Sequence, residues 1–507
     1  MLEQHYTCGG FSHSYERAGY EWDVGGHYIG DLNSRPTLPL RLMRRVFDVM
    51  SEEKLQWVSL GAQHDCIVVG DKAYDFLSGA DEFKTELKRH FPGDSAAIDR
   101  FVELLDELEA TVPKFFAHQL MPRRLGMIYA KMRRHFLPDY MFKTVQEVLE
   151  GITDNRELIH VLSAQWCFGG LTPRDEPFLV HGLVVAHYLR GCSSAVGGNG
   201  NIAATIIPTI EAAGGHVFSY AEVGQILIEN DRAVGVRMKK DGVELRADQV
   251  VSAAGLLPTY TRLIPRDIAE RHGLLENLSN VKPGRGHVCL FAGFNGSAAE
   301  LGLPKINFYR VPPGDHLANQ MAYESGETDE KPVIIFASQS AKDPTWDARY
   351  PNKSTMEVIF FPPAREFDKW KGTTWGKRGD DYEAMKERYT NELLEFLFGQ
   401  FPQLRQALDF CELSTPLSTE WYTANTEGEM YGLQHDRARF DQSWIHSQTP
   451  IKGLYLAGAD VVAAGLFAAM VSGIFAAIRT LGWRGYRVVS LLYKWKPKTG
   501  DGLAGKS

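Results

Sequence analysis

The sequence lacks several features that would fix a protein class at once. Its six cysteines lie far apart among 507 residues and form no C-x-x-C pair, so neither a disulfide scaffold nor a metal site is predicted. The first residues lack the apolar run of a secretory signal. A net charge of -8 gives no general argument for nucleic-acid binding. These absences favour a reducing compartment, and we expect a cytoplasmic protein that binds no nucleic acid.

One long uncharged stretch could be mistaken for a membrane span. Residues Val461–Ile478, "VVAAGLFAAMVSGIFAAI", approach the length that crosses a bilayer. Alanine and glycine dominate the stretch, and it follows the strand-like "GLYLAGAD" at once. Because small residues let a helix pack closely on neighbouring backbone, the prediction is an internal helix.

The stretch from Ala110 to Pro138 contains no acidic residue. Cations are interleaved there with apolar and aromatic side chains: Lys114, Arg123, Arg124, Lys131, Arg133 and Arg134. The C-terminal "WRGYRVVSLLYKWKPK" is similar. Such segments can lie on an anionic membrane surface, or they can be solvated helix faces that cover a core. Both interpretations stay open at this point.

Strand-like and helix-like stretches alternate, which indicates an α/β or α+β architecture. "IAATIIPTIEAAGG" predicts a helix closed by two glycines, and "HVFSY", "QILIEN", "AVGVRMK" and "DQVVSAAG" predict strands around it. Further strands are predicted at "HVCLFAGF", "PVIIFASQS" and "TMEVIFF". "DDYEAMKERYTNELLEFLFGQFP" predicts an amphipathic helix ended by proline.

A glycine motif, "GNGNIA" at Gly198–Ala203, matches the G-x-G-x-x-A pattern of dinucleotide-binding proteins. It opens a helix, and Glu222 lies about where a ribose-binding acid is expected. However, the fingerprint should follow directly on a buried strand. The polar "RGCSSAVG" precedes it here. Spacing alone therefore leaves open whether the motif binds a phosphate.

The C-terminal "GLYLAGADVVAAGLFAAMVSGIFAA" has a more specific pattern. A hydrophobic strand delivers Gly458 and Asp460 to a turn, and Gly465 opens a small-residue helix. Gly458 permits close backbone approach, Asp460 can accept hydrogen bonds from ligand hydroxyls, and the helix N-terminus offers N–H groups. The structural alternative is an ordinary strand-to-helix turn with a capping aspartate.

Several strings spread over nearly the whole chain carry a family resemblance. They are "LEQHYTCGGFSHSYERAGYEWDVGGHYIG", "VGGNGNIAATIIPTIEAAGGHVF", "VIIFASQSAKDPTWDARYPNKST", "WGKRGDDYEAMKERY", "TPLSTEWYTANTEGEMYGLQH" and "LYLAGADVVAAG". They resemble the phytoene desaturase-like family of FAD-dependent oxidoreductases, and its retinol saturase branch in particular.

The resemblance implies an α/β fold with a discontinuous, Rossmann-like FAD-binding domain of the GR2 type. Residues 1–75, 190–262 and 440–485 would form this domain. Residues 76–189 and 263–439 would form a mixed α+β substrate domain with a helical, membrane-facing part at 110–145. Residues 486–507 would form a basic tail. The "GNGNIA" motif then becomes a helix start and not the primary phosphate loop.

The resemblance also assigns roles to individual residues. The implied FAD-binding residues are Glu3, Gly9, Gly10, Gly25, Gly26, Val223, Ala254, Gly255, Gly458, Asp460 and Gly465. Among these, Glu3 would hold the adenosine ribose, Val223 would offer its backbone to the adenine, and Asp460 would hold the ribityl or diphosphate part. His27 and Tyr28 would lie near the flavin ring as candidate proton donors. Tyr422 and Tyr431 would line the substrate tunnel.

The implied reaction is flavin-mediated saturation of a C=C bond in a retinoid or carotenoid-like polyene, with NAD(P)H as a possible electron source. Desaturation or cis–trans isomerisation of a carotenoid is the sister alternative. The family's G-x-G-x-x-G loop is expected upstream of Glu3, where this chain has no residues. A late start would explain this. A genuinely truncated form is the other explanation, and it would predict a flavin-free, lipid-binding protein.

Overall fold

The structure is a computed structural model that describes residues 1–30, 32 and 43–495, so the end of the basic tail lies outside the described residues. The strands are β1 (Ser14–Arg17), β2 (Tyr20–Asp23), β3 (Ile29–Gly30), β4 (Trp57–Ser59), β5 (Gln63–Val69), β6 (Lys72–Leu77), β7 (Cys192–Ala195), β8 (Val223–Glu229), β9 (Arg232–Met238), β10 (Glu244–Arg246), β11 (Val250–Ser252), β12 (Val288–Asn295), β13 (Asn307–Val311), β14 (Ile334–Ala337), β15 (Lys353–Phe360), β16 (Leu408–Ser414) and β17 (Leu454–Leu456).

The helices lie between these strands and after the last one. They are α1 (Met43–Ser51), α2 (Ala80–His90), α3 (Ser95–Phe116), α4 (Arg123–Met132), α5 (Val145–Glu150), α6 (Arg156–Leu162), α7 (Phe178–Leu189), α8 (Gly200–Ala212), α9 (Leu256–Pro258), α10 (Arg266–Arg271), α11 (Leu274–Leu278), α12 (His316–Ser325), α13 (Gln339–Lys342), α14 (Trp346–Arg349), α15 (Asp380–Gln400), α16 (Leu404–Ala407), α17 (Pro416–Thr423), α18 (Arg437–Asp441), α19 (Gly465–Thr480) and α20 (Tyr486–Lys494). The predicted helices at "IAATIIPTIEAAGG" and "DDYEAMKERYTNELLEFLFGQFP" are confirmed as α8 and α15.

A seven-stranded sheet forms the centre, in the order β16-β12-β15-β14-β13-β5-β6. Neighbouring strands are antiparallel except β13 and β5, which are parallel. Both faces of the sheet are buried, which explains why "HVCLFAGF" and "TMEVIFF" are apolar almost without alternation. One face packs on α15, where Tyr389, Leu393 and Leu397 follow each other at the four-residue spacing of a helix face. We call this the outer face.

The opposite, inner face contacts the hairpin of β1 and β2 and the helices of residues 80–189. Smaller sheets complete the fold: β10-β9-β8, β3-β7-β4 and the parallel pair β11-β17. Residues 1–3 run alongside residues 216–221, and Glu3 donates from its backbone N–H to Phe218 at 2.8 Å. The predicted strand "HVFSY" forms only an isolated bridge there, because Phe218 and Tyr220 are exposed and bury no strand face.

Helix α19 contains most of the uncharged stretch that resembles a membrane span. Its buried residues Ala468, Ser472 and Ala476 recur at a four-residue spacing and turn a small-residue face inward. Ser472 accepts a hydrogen bond from the backbone of Gly458 at 2.7 Å, so this helix packs directly on the turn after β17. Among residues 1–30, 32 and 43–495, no helix combines the length and apolar content that crossing a membrane requires. The internal packing is as predicted, whereas the two-domain division stays a prediction.

Candidate active site

A cavity of about 2040 Å³ lies between the inner face of the sheet and the strands of residues 220–255. Its walls are drawn from residues 1–17, Val24 and residues 220–263, 287–291, 372–386, 412–432 and 458–460. Pockets for single small molecules span roughly 300–1,000 Å³. The cavity can therefore hold a ligand much larger than a typical metabolite, or two ligands side by side.

Many of the predicted site residues meet on this cavity. Its lining includes Glu3, Gly10, Val223, Ala254, Gly255, Tyr422, Gly458 and Asp460. Gly9, Gly25 and Tyr431 are outside the lining but directly next to residues within it, and Gly26 lies two residues after the lining Val24. Gly465 begins α19 beyond the lining, and His27 and Tyr28 lie behind the wall. The fold thus gathers residues from both ends of the chain, while their roles stay predictions.

Glu3 ends a short extended segment, and its main chain is fixed on both sides. Its carbonyl accepts from Ala221 at 2.7 Å, and its carboxylate Oε1 accepts from the backbone N–H of His5 at 2.9 Å. Val223 stands nearby at the start of β8 and also lines the cavity. This is the arrangement that a ribose-binding acid and an adenine-binding backbone would need at one end of a dinucleotide.

Two glycines of the wall adopt backbone conformations that other residues avoid. Gly255 has φ +89° and lies three residues after β11, and Gly458 has φ +102° and lies two residues after β17. A side chain at Gly255 would begin 3.4 Å from the Asp460 carboxylate. Glycine at these points keeps the wall open, so that a ligand can approach the backbone.

Asp460 is buried and joins two loops of the wall. Its Oδ2 accepts from the backbone N–H of Leu256 at 2.6 Å, and its Oδ1 accepts from that of Leu433 at 2.7 Å. The sequence predicts this carboxylate as a ligand acceptor. The structure gives both oxygens a backbone partner within the protein, so a ligand hydroxyl would take a second bond on either oxygen.

Backbone N–H groups of the "GNGNIA" motif donate hydrogen bonds to other side chains of the protein. Asp23, at the end of β2, accepts from Asn199 N–H at 3.0 Å and from the Ser14 hydroxyl at 2.7 Å. The Gly200 N–H donates to the same Ser14 hydroxyl at 3.0 Å. The N-terminus of α8 is therefore already bound by a carboxylate and a hydroxyl of the chain. This geometry agrees with a helix start and not with a primary phosphate loop.

Behind the cavity wall, the inner face of the sheet carries a row of polar side chains. Glu357 is opposite Phe291 of β12 and Ala337 of β14, while Asn307 of β13 is opposite Asp65 of β5. Alternation along each strand directs all of these side chains to one face. Glu357, Asn307 and Asp65 are each at most 2% exposed.

Lys342 reaches this row from α13. Its Nζ donates to Asn307 Oδ1 at 2.9 Å and to the Ser338 carbonyl at 3.2 Å. The sequence predicts a strand over the whole of "PVIIFASQS", but the strand ends at Ala337. The prediction is wrong there because Ser338 caps α13, accepting from Ala341 N–H at 3.2 Å. The capped turn places the lysine in the interior.

Both predicted proton donors are attached to this buried row. The Tyr28 hydroxyl donates to Asp65 Oδ1 at 2.7 Å and lies 3.1 Å from the Tyr309 hydroxyl. Gln165 donates to the other Asp65 oxygen at 2.6 Å. His27 Nε2 lies 3.3 Å from Glu357 Oε2. Each of the two residues therefore contacts a buried carboxyl group: Tyr28 contacts Asp65, and His27 contacts Glu357.

Burial strongly shifts the pKa values of these groups. It raises the pKa of Asp23 and of Asp65 to about 7 and holds the pKa of Glu357 well above its usual range. It lowers the pKa of Lys342 to about 8, although Glu357, Asp65 and Asp23 oppose that shift. Burial also lowers the pKa of His27 to about 3, so its imidazole is neutral at pH 7.

Sequence reasoning missed Asp23, Asp65, Lys342 and Glu357. A signal for two of them was present, since "HDCIVV" and "TMEVIFF" each place one acid inside an otherwise apolar strand. A charge in such a strand is costly to bury without a purpose or a partner. The partner, Lys342, comes from a different element and could not be matched from spacing alone.

The family of the chain follows from comparison with known proteins. The family "Flavin containing amine oxidoreductase" matches residues 2–481. The chain belongs to this family and is a flavin-dependent oxidoreductase. A solved oxidoreductase from Methanosarcina mazei, 15% identical, aligns with a TM-score of 0.58 over 93% of this chain and 92% of its own. This similarity shows a shared fold with a mixed α/β architecture.

Particular relatives narrow the comparison. The chain is 33% identical to the all-trans-retinol 13,14-reductase of Danio rerio, over 94% of this chain and 80% of the relative. It is 32% identical to the enzyme of that name from Homo sapiens, over 93% and 79%. A chloroplastic prolycopene isomerase from Daucus carota is more distant, at 22% identity over 94% and 75%.

The cavity has several of the features that a flavin nucleotide requires. An acid stands at the end of an extended segment, the start of β8 offers its backbone beside it, and glycines with positive φ leave space along the opposite wall. The residues that would hold the cofactor are Glu3, Gly10, Val223, Gly255, Gly458 and Asp460. The rest of the cavity lining is then available to contact a second ligand.

Proposed function

We propose that the chain uses FAD to reduce a C=C bond of a retinoid or carotenoid-like polyene. The observation that carries this proposal is one large cavity, in which many of the predicted FAD residues and an aromatic wall meet. A buried row of polar side chains lies behind its wall. The two relatives named as retinol reductases support it, because they are more similar than the prolycopene isomerase.

Bound FAD supplies the hydride chemistry, as flavin cofactors do in general. The chain's own residues would bind and orient the ligands. Glu3 would accept from the ribose hydroxyls, and Val223 would face the adenine. Ala254, Gly255 and Gly458 would let the cofactor approach the wall closely, and Asp460 would hold that wall in place through Leu256 and Leu433.

The remaining wall suits a flat, apolar substrate. Trp375 and Trp421 stack with ring centres 6.1 Å apart and planes 14° apart, and Tyr422 meets Trp375 edge-on at 5.9 Å. All three line the cavity together with Phe291. Aromatic faces of this kind bind apolar ligands and exclude water from them. Tyr431 packs beside the wall, next to Met430 of the lining.

The test is a single-turnover experiment with the flavin-loaded chain. The enzyme is reduced with dithionite without air, excess reductant is removed, and all-trans-retinol or a carotenoid is added. We expect the oxidised flavin absorbance to return in proportion to the loss of polyene absorbance. Dithionite makes the result independent of NAD(P)H, whose role as electron source stays a prediction.

Other outcomes identify the alternatives. A polyene that changes isomer while the flavin stays reduced would indicate the isomerase. Flavin reduction by a more saturated polyene, without the reverse reaction, would indicate the desaturase. A colourless protein that takes up no FAD would contradict the enzyme proposal. A Glu3→Ala variant should bind FAD more weakly, because it removes the only acid predicted to hold the ribose.

A lipophilic substrate needs a route from a membrane, and we propose that one face of the molecule provides it. Leu125, Ile128, Met132 and Phe136 are each more than half exposed and follow one side of α4 and the turn after it. Trp483 is 89% exposed on the neighbouring segment, which is tied to this region by the Tyr486 hydroxyl donating to Leu120 at 2.7 Å. We call these five apolar residues the lipid face.

Exposed cations surround the lipid face. They are Arg124, Lys131, Arg134, Arg484 and Arg487. Apolar side chains ringed by cations match the two layers of an anionic lipid surface, acyl chains within and charged headgroups outside. Arg133 does not belong to this ring, because it is buried, lies 3.7 Å from the centre of the Phe115 ring and donates to the Phe440 carbonyl.

Co-sedimentation with anionic phospholipid vesicles tests this face. The variant Ile128→Ser with Arg124→Glu and Lys131→Glu should bind the vesicles much more weakly than the wild type. Lys240→Glu with Lys305→Glu changes exposed cations elsewhere and should leave binding unaltered. Equal binding by both variants would exclude the lipid face as the contact.

A further inference from the structure

Four buried ionisable groups from four different elements form what we call the acid–lysine cluster: Asp23, Asp65, Lys342 and Glu357. They come from β2, β5, α13 and β15, and none is more than 2% exposed. Lys342 interacts electrostatically with all three acids. The sheet register fixes two of the acids, and the cap of α13 fixes the lysine. The secondary structure of the fold therefore holds the cluster in place.

Three carboxyl groups share one ammonium in this cluster. Full ionisation would leave two uncompensated negative charges in the interior, which is expensive. The cluster therefore retains protons at neutral pH. Two oxygens agree with this, since Glu357 Oε1 and Asp23 Oδ2 are buried without a hydrogen-bond partner among the described residues.

His27 stands between the cluster and the cavity wall. On one side His27 Nε2 lies 3.3 Å from Glu357 Oε2. On the other, His27 follows the cavity-lining Val24 by three residues and interacts electrostatically with His287, which also lines the cavity. The Nδ1 atoms of both histidines are buried and lack a partner among the described residues. One nitrogen of His27 thus meets the acid, and the other is left for a proton acceptor.

We propose that the acid–lysine cluster supplies the proton that a reduced C=C bond takes up, through Glu357 and His27. This inference rests on the proposed function. When the π bond of the substrate breaks, bound reduced flavin would supply a hydride, with both electrons, to one carbon, and the other carbon would take up a proton. His27 releases that proton from Nδ1 and accepts one from Glu357 at Nε2. Glu357 is left as a carboxylate beside Lys342; it takes back the Nε2 proton of His27, and Nδ1 of His27 regains a proton from water.

The members of the cluster act through His27 and are positioning residues. The other titratable groups that interact with them include Tyr28, Tyr309 and His64 beside Asp65 and Glu21 beside Asp23. Cys289 interacts with Glu357, Cys192 with Lys342, and His287 with His27. Burial holds the pKa of Tyr28, Tyr309, Cys192 and Cys289 well above the usual range, so they stay protonated, and it lowers the pKa of His64 to about 3, so that imidazole stays neutral. Burial also raises the pKa of Glu21, so the pH dependence belongs to the cluster together with Glu21.

The test compares Glu357→Gln with Asp48→Asn, which removes a buried carboxyl group in α1, away from the cavity lining. Reoxidation of the dithionite-reduced enzyme by the polyene is followed at several pH values. In the wild type we expect the rate to fall as the pH rises through 7 to 8, because the titration of Asp65 and Lys342 there removes from the cluster the protons that Glu357 passes on. Glu357→Gln should be slower by about 10²-fold, the smallest usual contribution of a general acid, and should lose this pH dependence.

An independent measurement uses the protein before flavin is added. The infrared C=O band of a protonated carboxylic acid should be present at pH 7, weaken in Glu357→Gln and persist in Asp48→Asn. A rate for Glu357→Gln within about tenfold of the control, below the usual range of general acids, would overturn the inference. If that variant does not fold, a wild-type rate that is flat across the same pH range overturns it. A wild type that reduces no polyene instead disproves the proposed function, and this inference with it.

Discussion

The two faces of the seven-stranded sheet use the same strands for different purposes. The outer face is apolar, with Leu290, Phe360 and Val358 packed under α15. The inner face of the same strands carries Glu357, Asn307 and Asp65 beneath the cavity. Successive side chains of a strand point to opposite faces. Neighbouring residues of one strand therefore serve either the apolar packing under α15 or the polar row behind the cavity. Substitutions on the two faces should therefore change different quantities.

The largest effect is expected from Phe360→Ala on the outer face. Phe360 is fully buried and its ring meets those of Tyr323 and Tyr389. Removing it should lower the free energy of unfolding by about 3–5 kcal/mol, measured by urea denaturation, with flavin uptake and the reoxidation rate of the folded protein unchanged. Phe136→Ala, at a half-exposed ring, should cost no more than about 0.5 kcal/mol. Equal losses for both variants would contradict the role of the outer face.

On the inner face, Lys342→Met should cost about 1–3 kcal/mol at pH 7, because it leaves Asn307 Oδ1 without its donor. Without the cation, the pKa values of Asp23 and Asp65 should rise above their present value of about 7. A carboxyl group that keeps its proton in the fold but loses it on unfolding destabilises the fold as the pH rises. Above pH 7 the deficit should grow by about 1.4 kcal/mol per pH unit for each carboxyl group. Melting temperatures at several pH values measure this, and a deficit that shrinks with pH would contradict it.

The smallest effect is expected from removing a helix cap, and it distinguishes a residue that positions Lys342 from one that only stabilises the fold. Ser338→Ala removes the cap of α13 and should cost about 1 kcal/mol. Thr144→Ala removes the cap of α5 and should cost a similar amount. Only the first should also slow polyene reduction, because α13 ends with Lys342. Single-turnover rates check this, and equal rates for the two variants would show that the cap serves stability alone.

Local patterns allowed much of the fold to be predicted from the sequence. Helix α15, the small-residue helix α19 and three strands of the central sheet, β12, β14 and β15, follow from periodicity and from glycine and proline signals. The strand predicted at "HVFSY" is wrong because a strand needs a face to bury, and Phe218 and Tyr220 stay exposed. The apolar pattern alone did not reveal this.

The site was only partly predictable, for a physical reason. Glu3, Gly255 and Asp460 belong to local motifs, and each of them lines the cavity, while the FAD-binding roles that the resemblance implies stay predictions. The acid–lysine cluster has no local motif, since its members are brought together by sheet register and by one helix cap. Long-range pairing of this kind is not encoded in the spacing of the residues.

The register of the inner row also determines where this chain can change length. An insertion of one residue within β13, β14 or β15 would turn every following side chain to the other face. It would move an acid under α15 and an aromatic ring beneath the cavity. The exposed turn at Gly302, between β12 and β13, carries no such constraint. Reporter tags or natural insertions should therefore be tolerated in that turn and excluded from the strands beside it.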